Sequence, residues 1–265
     1  MRAWVLEFVG HMSQSTLSRS LEPLAAALWG IFLAWTILLG AVWVGGVDAA
    51  WLEASVANTD LRTAATALVQ SVVPAWLALA VVNMHLALTH AEGLRTARRW
   101  LFLTLAAALL LGMVARAAEM PFGPFDFKDS LGPRLAGVPV GWLLLWFVLV
   151  AGARELVLWV RPRLSHRVTA IAGAVLALIT LANLHPLVMQ GREGFRFWLF
   201  GRIEVPAALP WYAPMSALLF AFGLGWLMRE MRLLGGTHHR SRRAAVVFLL
   251  LNGLLLAANV GRWVG

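Results

Sequence analysis

Seven blocks of apolar residues, each close to the length of a bilayer crossing, constrain this chain more than any other feature. They run about 24–47, 63–89, 99–118, 137–160, 168–190, 211–234 and 244–263. A membrane-spanning helix needs roughly 20 apolar residues. A bilayer offers unpaired backbone groups no water partner, so helices are the expected form of each block. Composition agrees, because 60% of residues are hydrophobic and 13% charged, against about 25% charged in an ordinary soluble domain. That balance excludes soluble packing. The expectation is an all-α, polytopic integral membrane helix bundle of about seven transmembrane helices, forming a single transmembrane domain over residues 1–265. The fifth and sixth windows are the most interrupted, by Asn183, His185 and Pro186 in one and by Pro210 and Pro214 at the start of the other. Residues 1–22 set Trp4, Val5, Phe8 and Val9 against Arg2, Glu7 and His11. This pattern fits a short amphipathic helix on the membrane surface and fits a frayed tail equally.

The charge is +9 overall but unevenly placed. The N-terminus and the loops near 90–99, 161–167 and 229–243, with their flanks, carry 14 arginines and five acids: Glu7, Glu22, Glu92, Glu155 and Glu230. The other face carries eight basic and eight acidic residues. The positive-inside rule puts the first face in the cytoplasm, so the N-terminus lies inside and the C-terminus outside, with a cell inner membrane as the expected location. In a soluble protein such a charge would suggest nucleic acid as partner. Here it sits in short loops and reads as a topology signal, so no nucleic-acid partner is expected.

Cysteine is absent, which removes disulfides and thiolate chemistry together. No metal or other cofactor is expected. A bis-histidine haem is disfavoured, because His85 and His185 lie near opposite ends of their spans, roughly 20 Å apart in depth at 1.5 Å per residue. Ionisable residues away from helix ends are nearly absent, which argues against a transporter or channel. Gln70, Asn83, Asn252 and Asn259 fall within spans and are expected to bond neighbouring helices.

Polar chemistry concentrates on the neutral face. The segment from Arg116 to Arg134 brings Glu119, Asp126 and Asp129 among phenylalanine, proline and glycine. The segment from Asn183 to Trp211 adds His185, Arg192, Glu193, Trp198 and Glu204. Where such connections pack together, partly desolvated carboxyl groups become able to act as general acids. Solvated loop charges paired with neighbouring arginines are the competing reading.

Residues 121–149, PFGPFDFKDSLGPRLAGVPVGWLLLWFVL, resemble the CruF-type carotenoid biosynthesis family of membrane carotenoid hydratases. The matching positions are Phe122, Gly123, Phe125, Phe127, Asp129, Leu131, Gly132 and Pro133, followed by Gly137, Val138, Pro139 and Trp146, with Glu119 just before them. In the second half the sequence departs from the family pattern, with His185 preceding Pro186 where an aspartate is expected.

The resemblance implies a lyase of the hydro-lyase type, adding water to the terminal double bond of an acyclic carotenoid. It casts Asp129 as proton donor and Glu119 or His185 as the group that positions water. Phe125, Phe127, Trp146 and Trp198 would line the substrate. The expected partners are a carotenoid or similar long isoprenoid, membrane lipid and other membrane subunits. The departure at His185 supports the alternative, a non-catalytic carotenoid- or lipid-binding membrane subunit of a pigment complex.

Overall fold

A computed structural model describes residues 2–47, 49–118, 132–189, 212–230 and 241–264, with side chains described from residue 22 onward except at 49–50, 185–189, 212–213, 228–230 and 262–264. Each apolar window coincides with a helix. In chain order these are α1 (Arg2–Trp43), a short α2 (Ala49–Ser55), α3 (Thr59–Glu92), α4 (Leu94–Ala118), α5 (Val140–Val160), α6 (His166–Met189), α7 (Tyr212–Glu230) and α8 (Arg242–Val264). Six are long and apolar enough to cross a membrane, and Pro214–Leu227 of α7 forms a shorter apolar helix among the described residues. The chain is an all-α membrane helix bundle.

Several boundaries differ from the sequence expectation. The backbone of α1 runs unbroken from Arg2 through Pro23 to Trp43, so residues 2–22 are helical and continuous with the first span. The interruption expected at Asn183, His185 and Pro186 does not end α6, which continues to Met189. Proline lacks only its own N–H, and neighbouring helices help tolerate it in an apolar bundle. Residues 137–139 precede α5 rather than begin it, because they belong to a hairpin.

The bundle is organised around α5, which packs against α3, α4, α6, α7 and α8. Apart from Arg154 and Glu155 its sequence is apolar all round, as a helix enclosed by others should be, and 16 of its residues are buried. Where α5 meets α8 the approach is close, since a Cβ on Gly152 would stand 2.7 Å from Phe248 Cβ. Several polar side chains inside the bundle bond between helices. Asn83 donates to Leu28 O of α1, Thr180 Oγ1 donates to Asn252 Oδ1 of α8, and Asn259 donates to Asn183 O of α6. Trp76 Nε1 donates to Thr36 Oγ1 of α1. Gln70 departs from expectation and is exposed on α3.

Two connections shape the ends. At one end α3 turns directly into α4 at Gly93, whose φ of 88° few other residues adopt readily. At the other, β1 (Arg134–Leu135) and β2 (Val138–Pro139) form a two-stranded antiparallel hairpin, with Leu135 opposite Val138. Its two turn residues, Ala136 and Gly137, have φ of 49° and 80°, the positive pair expected of a type I′ turn. Pro139 then caps α5, a place where its missing N–H costs little.

Candidate functional site

The two ends of the bundle are referred to by their sequence charge as the neutral end and the basic end. At the neutral end the hairpin is seated on the helices by small contacts. A Cβ on Gly112 of α4 would stand 2.7 Å from Val138 Cγ1, so glycine there lets the fully buried Val138 reach the helix. Trp142 Nε1, one turn into α5, donates to Ala108 O of α4 at 3.1 Å. One turn further, Trp146 is wholly buried. Its ring stands edge-on to Trp142 at 5.6 Å and to Phe220 of α7 at 4.7 Å. Among the described residues its indole N–H has no hydrogen-bond partner. A buried donor of this kind is unusual in a settled core. The glycine, valine and proline of the 137–139 step thus have physical roles as turn, plug and helix start.

Also in the neutral half is a small apolar cavity bounded by α1, α3, α5, α6 and α8. Leu39, Trp43, Trp76, Leu145, Leu184 and Leu255 are among the side chains that line it. Its lining is hydrocarbon and indole apart from Thr180.

Of the residues singled out from sequence, Trp146 is placed in this aromatic group. His185 lies in the last turns of α6, near the neutral end, with its backbone alone described. Glu119, Phe125, Phe127, Asp129 and Trp198 lie outside the described residues.

At the basic end the structure shows a group that sequence reasoning did not anticipate. Glu92 and Glu155 read from sequence as loop charges, but their side chains are 6% and 1% exposed. Arg154 Nη1 donates to Glu92 Oε1 at 3.1 Å and also to Glu155 Oε1. Glu155 Oε2 accepts the backbone N–H of Ser241 at 2.9 Å, and Ser241 Oγ accepts from Ala244 N in the first turn of α8. The guanidinium also lies 4.8 Å from the centre of the Trp100 ring, a cation–π contact. Four helices therefore converge on one arginine. Arg154 and Glu155 stand in the last two turns of α5, in keeping with ionisable residues being confined to the ends of the spans, but they are buried rather than solvated. Pairing is what lets them be buried, since an isolated charge there would be very costly. The signal in sequence was the adjacent Arg-Glu pair within AGARELVLWV, placed before the end of an apolar block.

Residues 72–260 match the model of a family described as carotenoid biosynthesis protein. The chain belongs to that family. The match begins within α3 and ends within α8, so it takes in the hairpin, the aromatic group and the ionic cluster of this carotenoid biosynthesis protein. Neither the curated proteins nor the solved structures gave a match.

Proposed function

We propose that the protein is a carotenoid hydratase that adds water to the terminal double bond of an acyclic carotenoid end group. The observation that carries this reading is the family match over residues 72–260. The aromatic group around Trp146 supports it, because a carbocation needs aromatic faces. Each such face is worth about 0.5–2 kcal/mol to a nearby cation.

In this reading Asp129 gives its carboxyl proton to the terminal alkene, leaving a tertiary carbocation. Water adds its oxygen to that carbon and surrenders a proton to Glu119 or His185, so the net change is one water added. Phe125, Phe127, Trp146 and Trp198 enclose the end group and limit stray water. The acid acts at the outer side of an inner membrane, the side to which the charge asymmetry assigns the neutral end.

Pigment analysis of a carotenoid-producing host, with and without the chain, tests the proposal. The expected product is a tertiary alcohol heavier than its parent by one water. Asp129→Asn should abolish it while protein accumulation is unchanged. Full activity of Asp129→Asn would remove Asp129 from its role. An unaltered carotenoid co-purifying with the wild-type protein would instead establish the non-catalytic binding subunit, which the histidine before Pro186 favours.

A further inference from the structure

Five buried side-chain polar atoms have no hydrogen-bond partner among the described residues: His85 Nδ1, Glu92 Oε2, Trp100 Nε1, Thr104 Oγ1 and Trp146 Nε1. All five belong to α3, α4 and α5, three helices that pack against one another. Buried polar atoms are normally paired, either within the protein or with ordered water.

Thr104 stands apart from the other helical threonines. Thr36, Thr63, Thr89, Thr169 and Thr180 each donate to the carbonyl four residues back, the usual recourse of a hydroxyl in a helix. Thr104 is wholly buried, yet its hydroxyl makes no such bond.

Three contacts between α4 and α5 set the level of each atom. The two helices run antiparallel, with Gly112 beside Val138 and Ala108 O accepting from Trp142 Nε1. One turn further toward the basic end, Thr104 comes level with Trp146. Another turn brings Trp100, whose ring centre lies 4.8 Å from the Arg154 guanidinium. That guanidinium also holds Glu92 Oε1 at 3.1 Å, so Glu92 Oε2 closes the series. His85 lies about as far before the Gly93 turn as Trp100 lies after it, at the same depth on α3.

The chemistry of these atoms selects an occupant. The indoles only donate, the free carboxylate oxygen only accepts, and the hydroxyl does both. A cation would sit against Arg154, and an anion against Glu92 and Glu155. Water is neutral, donates and accepts, and bridges polar atoms up to about 5.7 Å apart, close to one helical turn of about 5.4 Å. Apart from Trp100, the residues that α4 buries are small: Ala97, Thr104, Ala108, Gly112 and Ala115.

We propose that internal water occupies the α4–α5 seam, hydrogen-bonded to Glu92 Oε2, Trp100 Nε1, Thr104 Oγ1 and Trp146 Nε1. It forms a polar thread from the ionic cluster to the aromatic group. Use of this water in a hydration reaction rests on the hydratase reading above; its presence does not.

The test uses the full-length protein in detergent micelles, isotopically labelled at its indole nitrogens and transferred to heavy water. Magnetic resonance then follows each indole hydrogen, with signals assigned by single Trp→Phe variants. Trp142 is the internal control, because its N–H is held directly on Ala108 O. The Trp100 and Trp146 hydrogens should exchange at least about tenfold faster, the equivalent of one direct hydrogen bond. Thr104→Val, which removes the hydroxyl, should slow Trp146 about tenfold and leave Trp142 unchanged. Thr104→Ser, which keeps it, should preserve the wild-type rate. One common rate for the three indoles, or a Trp146 rate indifferent to Thr104→Val, would overturn the seam. Fast exchange at Trp146 in a protein that makes no hydrated product defeats the hydratase reading alone. A hydrated product from a protein whose Trp146 exchanges no faster than Trp142 defeats the water seam alone.

Discussion

At the basic end, α3, α4, α5 and α8 meet on a guanidinium shared by two carboxylates. At the neutral end, α4 and α5 are joined by a hairpin whose contacts are a glycine, a buried valine and two tryptophans. The first end is held by charge and the second by shape. The difference teaches that one end is fastened by shared hydrogen bonds and the other by close packing. Glu155 uses both oxygens, on Arg154 and on Ser241, and so reads as a fastening. The Trp146 indole N–H is buried with no partner among the described residues, as are Trp100 Nε1 and Glu92 Oε2 at the other end.

The largest expected effect tests the electrostatic end. Arg154→Met leaves two carboxylates without a counter-charge and should cost about 3–5 kcal/mol, read by thermal unfolding in detergent. Adding Glu92→Gln and Glu155→Gln should recover most of that loss, because the penalty comes from unpaired charge. A loss below about 1 kcal/mol for Arg154→Met would mean the cluster is not the fastening described.

Trp146 provides the matching test at the neutral end. Trp146→Ala should cost about 3–5 kcal/mol through the cavity it opens. Trp146→Phe should cost less than about 1.5 kcal/mol, since the volume lost is modest and an unpaired N–H leaves with it. On pigment analysis the same Trp146→Phe variant should lose hydration activity beyond its loss of stability. A variant as active as wild type would take Trp146 out of the substrate wall.

The apolar pattern made the bundle legible. Every window became a helix because length and hydropathy are read directly by a bilayer, and Asn83, Asn252 and Asn259 bond across helices as expected. What escaped is tertiary. That Glu92 and Arg154, 62 positions apart in sequence, share a hydrogen bond follows from the way α3 and α5 pack, which no local spacing reveals. Arg154 and Glu155 lie near a helix end, where sequence alone does not separate a solvated charge from a buried one. The hairpin was hidden because Gly137, Val138 and Pro139 continue smoothly into an apolar helix. Of the aromatic group at the neutral end, sequence identified Trp146 and its position near the start of α5. It did not foresee Phe220 or Trp142 as the rings against it.

Two smaller effects sharpen the comparison. Gly137→Ala places a Cβ at positive φ beside the Arg116 guanidinium. Because that guanidinium can swing aside, the cost reduces to backbone strain of about 1–2 kcal/mol, measurable as a lowered melting temperature. Thr180→Val removes the bond to Asn252 and should cost roughly 0.6 kcal/mol, the average for such bonds in membrane bundles. A larger loss would show that α6 and α8 depend on polar contact more than the rest of the neutral half does.

Trp142, Trp146, Val150 and Arg154 follow one another at intervals of four, so a single stripe along α5 carries aromatic rings at one end and the shared guanidinium roughly 12 Å further on. The helix acts as an axle. Its angular setting is fixed where it leaves the Ala136–Gly137 turn, and one residue inserted there would rotate the stripe by about 100°, carrying Trp146 off Phe220 and Arg154 off Glu92 together.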